Sequence, residues 1–390
     1  MDFTNDWTRR QFLKSASTTL AVTALGETLL NALAGDDALA AKKTLAGAPF
    51  YACGYKKGAM VHPREALGDN YISLMAQDGR EPILIKVKPD IHSVAVNPKD
   101  PNLCYGFAKE QPFACAVDLR NPKGARTIDT RPGLFSSGHG VCTPDGKWLL
   151  TSEVDEASKN GFIVTRNAKT LKFEAITTSH GKYPHELKFL PDQKTLVVAN
   201  GGDGESSFVF MEYPSGKLLD KIPSVESFQK IRHFTLGLDG KFAIAGWPVG
   251  ASVPNTTGYP PARVMHGFRA AGKTHMEILD IPPEVNAGRT IPIQYLSIAL
   301  NPRTNIAGTT CEDNGTLVFF DMNTMKFIKF LEMTHPKGIV VSADQKHYAI
   351  SGMDGMMHFI DADTLKIVPE KSINAMMNNS HLTAWQPAGY

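Results

Sequence analysis

Cysteine is scarce in this sequence and carries no pattern. Cys53, Cys104, Cys115, Cys142 and Cys311 are five in 390 residues, an odd number with no CxxC spacing. That gives no sign of a disulfide framework and argues against a self-contained c-type cytochrome, which would need CxxCH. Cys104 and Cys115 fall on neighbouring expected strands, where they could pair; small buried thiols are the commoner use of cysteine in strands. A dominant charge is missing too. There are 41 basic and 39 acidic residues, a formal net charge of +2, and no lysine- or arginine-rich cluster beyond the leader. Nucleic-acid binding is thereby excluded. Beyond the first 40 residues helical periodicity is nearly absent, and no apolar run is long enough to span a membrane. HExxH, GxSxG, Walker and Rossmann patterns are all lacking, so no standard enzyme class and no catalytic residue can be assigned.

What is present begins with an export pattern. Thr8-Arg9-Arg10-Gln11-Phe12-Leu13-Lys14 precedes a moderately apolar stretch from Leu20 to Leu33, and Ala38-Leu39-Ala40 supplies a small-x-small cleavage site. Gly26, Glu27 and Asn31 interrupt the apolar stretch, which makes it too weak for a membrane anchor. Residues 1–40 are therefore read as a twin-arginine signal peptide. Residues 41–390 are read as one domain of a periplasmic protein.

The organising feature of that domain is a repeat of roughly 46 residues. Each copy reads as a short apolar strand, a Pro/Asp/Gly turn, a second apolar strand and a Gly/Asp loop. Examples are HSVAVNPKDPNLCYGFA from His92, HGVCTPDGKWLLTSEVD from His139 and HELKFLPDQKTLVVANGGDG from His185. Further copies start at His233, Leu296 and Lys337. Two more strand-like runs follow in each, as in Thr316–Phe320 with Met325–Phe330 and Met357–Ile360 with Leu365–Val368. Four strands per unit is the pattern of a propeller blade. Six blades fit between His92 and Pro369. The chain ends supply a seventh: Phe50–Cys53, Tyr71–Ala76 and Ile83–Val87 would join the segment His381–Trp385. The expected fold is all-β, a seven-bladed β-propeller whose ring is closed by a blade shared between the N- and C-terminal strands. Trp247–Lys273 reads as a long Pro/Gly-rich insert between the second and third strands of the fourth blade.

Histidine marks the starts of the innermost strands. His92, His139, His185 and His233 are spaced by 47, 46 and 48 residues, and His381 holds the same place in the last copy. Their offset from the following turn varies by one, so not all need point the same way. Loops between second and third strands open on the same face and carry Glu153, Asp155, Glu156, Asp203, Glu205, Glu312, Asp313 and Asp354. The inserts add His62, Arg64, His266 and Arg269. Imidazoles near an axis with carboxylates around them suit a transition-metal or acid–base site. Propeller repeats also use histidine and aspartate structurally, as strand-to-loop ties and turn formers. Both readings stay open.

The leader, Tyr51-Ala52-Cys53-Gly54-Tyr55, Ser137-Gly138-His139-Gly140, Tyr183-Pro184-His185-Glu186-Leu187 and His335-Pro336-Lys337-Gly338 together resemble the Tat-exported domain-of-unknown-function family fifteen-thirteen. The resemblance covers nearly the whole mature chain. It implies a YVTN-like seven-bladed repeat protein associated with imelysin-type periplasmic iron uptake, and it carries no settled catalytic residues. The expectation is a non-catalytic periplasmic protein of metal uptake, with other metal-uptake proteins as partners. Its metal site (iron, copper or zinc) would use His92, His139, His185, His233 and His381, assisted by Glu153, Asp203 and Glu312. The competing expectations are a periplasmic oxidoreductase or its scaffold subunit, and a protein–protein interaction platform.

Overall fold

The computed structural model describes residues 50–56, 68–226, 229–248, 261–289, 294–375, 377 and 381–385. The leader, the cleavage site, His62 and Arg64 lie outside the described residues. Gly47–Gly389 form one compact unit. Among the described residues there is no α-helix, and no helix is long and apolar enough to cross a membrane.

The strands come in successive antiparallel groups of four. Their first, innermost members are Ile91–Val96, Leu134–Cys142, Pro184–Phe189, Gln229–Leu236, Ser297–Asn301 and Pro336–Val341. The remaining group joins the two ends of the chain. Thr383–Trp385 pairs with Phe50–Lys56 in the register Phe50↔Trp385, Tyr51↔Ala384 and Ala52↔Thr383. Asn70–Ala76 and Ile83–Val87 complete that sheet. Each innermost strand packs against its successor, and Thr383–Trp385 packs against Ile91–Val96. Hydroxyls tie these neighbours: Ser93 Oγ donates to the Gly138 carbonyl at 2.6 Å, and Thr383 Oγ1 to the Val94 carbonyl at 2.5 Å.

Burial explains the sequence pattern. Second strands such as Thr195–Asn200 and His347–Gly352 are buried along their whole length, hence their unbroken small and apolar runs. Outer strands such as Leu218–Pro223 are largely exposed. The core lies between neighbouring sheets. Phe208 and Phe210 of one sheet meet Phe234, Phe242 and Ile244 of the next, and Tyr51 and Met75 of the first sheet meet Met357 and Phe359 of the last.

Three details depart from the sequence reading. Two groups are joined into an eight-stranded sheet, because Lys109 and Gln111 pair with Ser137 and Ser136. The insert is shorter than it reads, since Val264–Ala270 is a strand paired with Lys241–Pro248 on one side and Lys273–Ile278 on the other. Its run of mixed residues, Met265-His266-Gly267-Phe268-Arg269, hides the alternation. Near the C-terminus Leu365–Val368 contributes only a single bridge, Ile360↔Ile367, and Ile373–Asn374 is the outer strand. All five cysteines are buried thiols, and Cys104 and Cys115 form no disulfide.

Because the core is inter-sheet, one side chain serves two sheets. Phe242→Ala should cost about 3–5 kcal/mol in denaturant unfolding, against at most about 0.5 kcal/mol for Leu238→Ala, whose side chain is 78% exposed.

Candidate functional site: a five-histidine cluster

Each histidine at an innermost strand sits at or beside an irregularity in pairing. Register shifts fall between Ile91 and Ser93, Ser136 and Gly140, Pro184 and Leu187, and Ile231 and His233. An extra residue bends the strand and re-aims the side chain at that point. The bulges thus absorb the one-residue offsets visible in the sequence. Ser152 Oγ, on the strand Trp148–Asp155, lies 3.0 Å from the His139 carbonyl and 2.9 Å from that of His185, and its single proton serves one of the two at a time.

The result is a closed circuit of imidazoles. Ring centroids are 5.1 Å apart for His92–His139, 4.5 Å for His139–His185, 4.7 Å for His185–His233, 4.2 Å for His233–His381 and 4.6 Å for His381–His92. One nitrogen from each of the five lies within 4.8 Å of every other. Gly138 permits this approach. It has φ +101°, and a Cβ there would stand 2.5 Å from His92 Cδ2.

Burial leaves these rings neutral. Loss of water, reinforced by the neighbouring rings and Lys109, holds His92, His185 and His381 well below the usual imidazole range. His139 is pushed down to about 3, by burial first and His233 second. His233 is lowered by burial, with Glu186 opposing. The Nε2 atoms of His92, His139 and His381 are buried without a hydrogen-bond partner. A buried polar atom left unpaired is costly unless something else fills the role.

The expected carboxylates are not in this circuit. Glu153 is spent on a buried pair with Arg166 at 2.8 Å and accepts from Thr151 at 2.9 Å. Asp203 pairs with Lys230, and Glu312 lies 3.6 Å from Lys337. Glu205 holds Lys182 at 2.8 Å, and Asp354 holds His358 at 2.7 Å. His266 faces Glu277 at 3.7 Å and Arg269 pairs with Asp220 at 2.9 Å, both away from the circuit. The carboxylate that does reach it is Glu186. Its Oε2 is 3.6 Å from His233 Nδ1 and accepts the Phe234 N–H at 2.8 Å, while Oε1 is 2.9 Å from Lys188 Nζ. Burial opposes charge on Glu186, but Lys188 and His233 overcome that penalty and hold its carboxyl well below the usual range. Its position directly after His185, with a lysine two residues on, was the available signal.

The cluster borders two cavities. One, of about 400 Å³, is lined by all seven innermost strands, from Ser93 and Val94 to Thr383 and Ala384, and includes His139, His233 and His381. The other, of about 200 Å³, includes His185 together with Lys109, Asp203, Lys230 and Arg232.

Sheets and site define a class: a nearly all-β protein of repeated four-stranded sheets, propeller-like in fold. Solved structures share it. A chain of hydrazine synthase from Kuenenia stuttgartiensis is 14% identical at TM-score 0.60, covering 76% of this chain and 90% of that one. A putative 6-phosphogluconolactonase from Bacteroides fragilis is 11% identical at TM-score 0.60, covering 88% and 99%. A Lactobacillus plantarum protein is 11% identical at TM-score 0.62, covering 87% and 100%. Such identities speak for fold alone. No curated protein matches the chain. The chain belongs to the family described as "Protein of unknown function (DUF1513)", whose profile matches residues 85–385.

Two predictions follow from the geometry. Histidines in the unfolded chain take up protons below about pH 6.5, whereas the buried rings resist protonation. The metal-free fold is therefore fully stable above that pH and loses stability as pH falls below it, by about 1.4 kcal/mol per pH unit for each excluded proton. Thermal unfolding between pH 7.5 and 5 should show this slope, and His139→Asn/His381→Asn should flatten it. Gly138→Ala should destabilise by at least about 1 kcal/mol, and by less in a His92→Ala background, because the ring it strikes is gone.

Proposed function

We propose that the chain is a closed seven-bladed propeller that binds a transition-metal ion, or a ligand carrying one, on its five-histidine cluster. The pairing of Thr383–Trp385 with Phe50–Lys56 and the cavity bordered by seven innermost strands support the ring. The metal reading is carried by one observation: five imidazoles kept neutral, with nitrogens within 4.8 Å of one another and three Nε2 atoms lacking any partner. Neutral imidazole is the ligating form, and it suits zinc, copper or iron(II). His233 turns Nδ1 to Glu186, which leaves Nε2 to face the other rings and raises its basicity. The twin-arginine pattern of the sequence supports a periplasmic location, and metal uptake or handling is the role that joins leader and site. The low-identity likeness to a putative lactonase adds no activity to this reading.

Metal analysis of protein purified from the periplasm, followed by titration of the metal-free form with zinc, copper and iron(II), tests the proposal. About one equivalent should bind, and His139→Ala/His233→Ala should abolish it. Glu186→Gln should weaken binding by about 10–100-fold, while Glu312→Gln leaves it unchanged. Metal-free protein that takes up none of the three would end the metal reading.

A further inference from the structure

The last four-stranded sheet carries a second constellation, apart from the histidine cluster. Its outer strand is two residues long: Asn374 pairs with Met356 and Ile373 with Met357. One step further in that antiparallel register, Ser372 comes opposite His358. The Ser372 hydroxyl lies 3.4 Å from His358 Nδ1, and His358 Nε2 lies 2.7 Å from Asp354 Oδ2. Asp354 is fixed in its turn by accepting the Met356 N–H at 3.0 Å. Burial opposes charge on Asp354, but the His358 ring and the Met356 N–H outweigh it and hold the carboxyl below the usual range. An ionised carboxylate at Nε2 keeps a proton on that nitrogen, which leaves Nδ1 as the acceptor facing the serine.

A turn-forming aspartate needs only the Met356 contact. What goes beyond it is a groove. A cavity of about 440 Å³ is bordered by Gln77–Gly79 of the first sheet and by Glu370–Asn374 of the last, and Ser372 lines it. It shares no residue with the histidine cluster or the two cavities beside that cluster. Its size falls within the range of small-molecule clefts, roughly 300–1,000 Å³. Met356 and Ile373 supply apolar wall, Gln77 and Asn374 supply amides, and Lys371 stands directly before the serine. Asp78 is matched by Arg80 at 2.9 Å, and the formal charges of Glu370 and Lys371 cancel, so an uncharged substrate suits the groove. A hydroxyl within reach of a base, with the base oriented by a third group, is the arrangement of an activated nucleophile, and such contacts tighten when substrate binds.

We propose that Ser372, His358 and Asp354 form a nucleophile–base–carboxylate triad that hydrolyses small uncharged esters bound in this groove. Ser372 Oγ bonds to the ester carbonyl carbon as its proton passes to His358 Nδ1. Lys371 supplies positive charge for the carbonyl oxygen as it becomes an oxyanion. The bond from that carbon to the alkoxy oxygen then breaks, and the proton on Nδ1 leaves with the alcohol. Water, deprotonated by the same nitrogen, adds to the acyl-serine and releases the acid, which restores the Ser372 hydroxyl. The activity is independent of the metal reading above.

The full chain, kept metal-free with a chelator, is assayed with p-nitrophenyl butyrate and treated with a fluorophosphonate, which traps activated serines. Hydrolysis should saturate with substrate, and peptide mass spectrometry should place the label on Ser372. Ser372→Ala should remove both. His358→Gln should lower kcat/KM by about 10²–10⁴-fold and Asp354→Asn by a smaller factor, each with an unchanged near-ultraviolet circular dichroism spectrum. Labelling of the intact chain needs no substitution, so it decides the matter even where a variant misfolds. No label on Ser372 in the intact chain, or hydrolysis that survives Ser372→Ala, overturns the ester site and leaves the metal reading untouched.

Discussion

The structure turns on the burial of neutral imidazoles where the innermost strands converge. A single histidine at the start of a strand is unremarkable, and it would ordinarily tie itself to a loop. Here bulges at four successive innermost strands, with Gly138 making space, force His92, His139, His185 and His233 toward each other, and the segment leading into Thr383–Trp385 delivers His381. Every ring lies within about 5.4 Å of at least two others. Packing imidazoles edge to face gains some dispersion and quadrupole energy, but it strands nitrogens that water would otherwise serve. A fold that needed only to fill this space could use leucine or valine, as the adjoining cavity wall does at Leu300 and Val341.

Much of this was legible in the sequence because repeats convert spacing into geometry. Histidines 46 to 48 residues apart at the head of equivalent strands must converge if the strands do. What spacing could not give was aim. A strand alternates sides with period two, so a one-residue offset ordinarily reverses a side chain. The bulges, with one extra residue in three of the strands and two between Ser136 and Gly140, re-aim the side chains, and bulges leave no reliable mark in a single sequence.

The carboxylates were illegible for a different reason. Glu153, Asp203 and Glu312 sit at the right end of the right strands, yet each has a cationic partner distant in sequence: Arg166, Lys230 and Lys337. Ion pairing across strands is invisible to local pattern, and a paired carboxylate is not a ligand in waiting. Glu186 was hidden by its neighbour. Directly after His185, simple alternation sends it to the opposite face, whereas the register shift between Pro184 and Leu187 brings it to His233 of the next sheet. The strand Val264–Ala270 was lost among prolines and glycines that belong to the segment before it.

On the proposed metal reading, an all-imidazole circuit would also restrict the choice of ion. Hard cations such as magnesium and calcium seek oxygen ligands and an anionic cage, and these rings supply neither. Thiolate-seeking ions find no sulfur, because all five cysteines lie elsewhere as buried thiols; Cys115 and Cys142 are pushed up to about 12 by burial. The borderline ions remain, and among them geometry decides. Five converging rings offer more nitrogens than a tetrahedral ion uses. On the proposed metal reading, an ion that takes five or more ligands would use this donor count most fully.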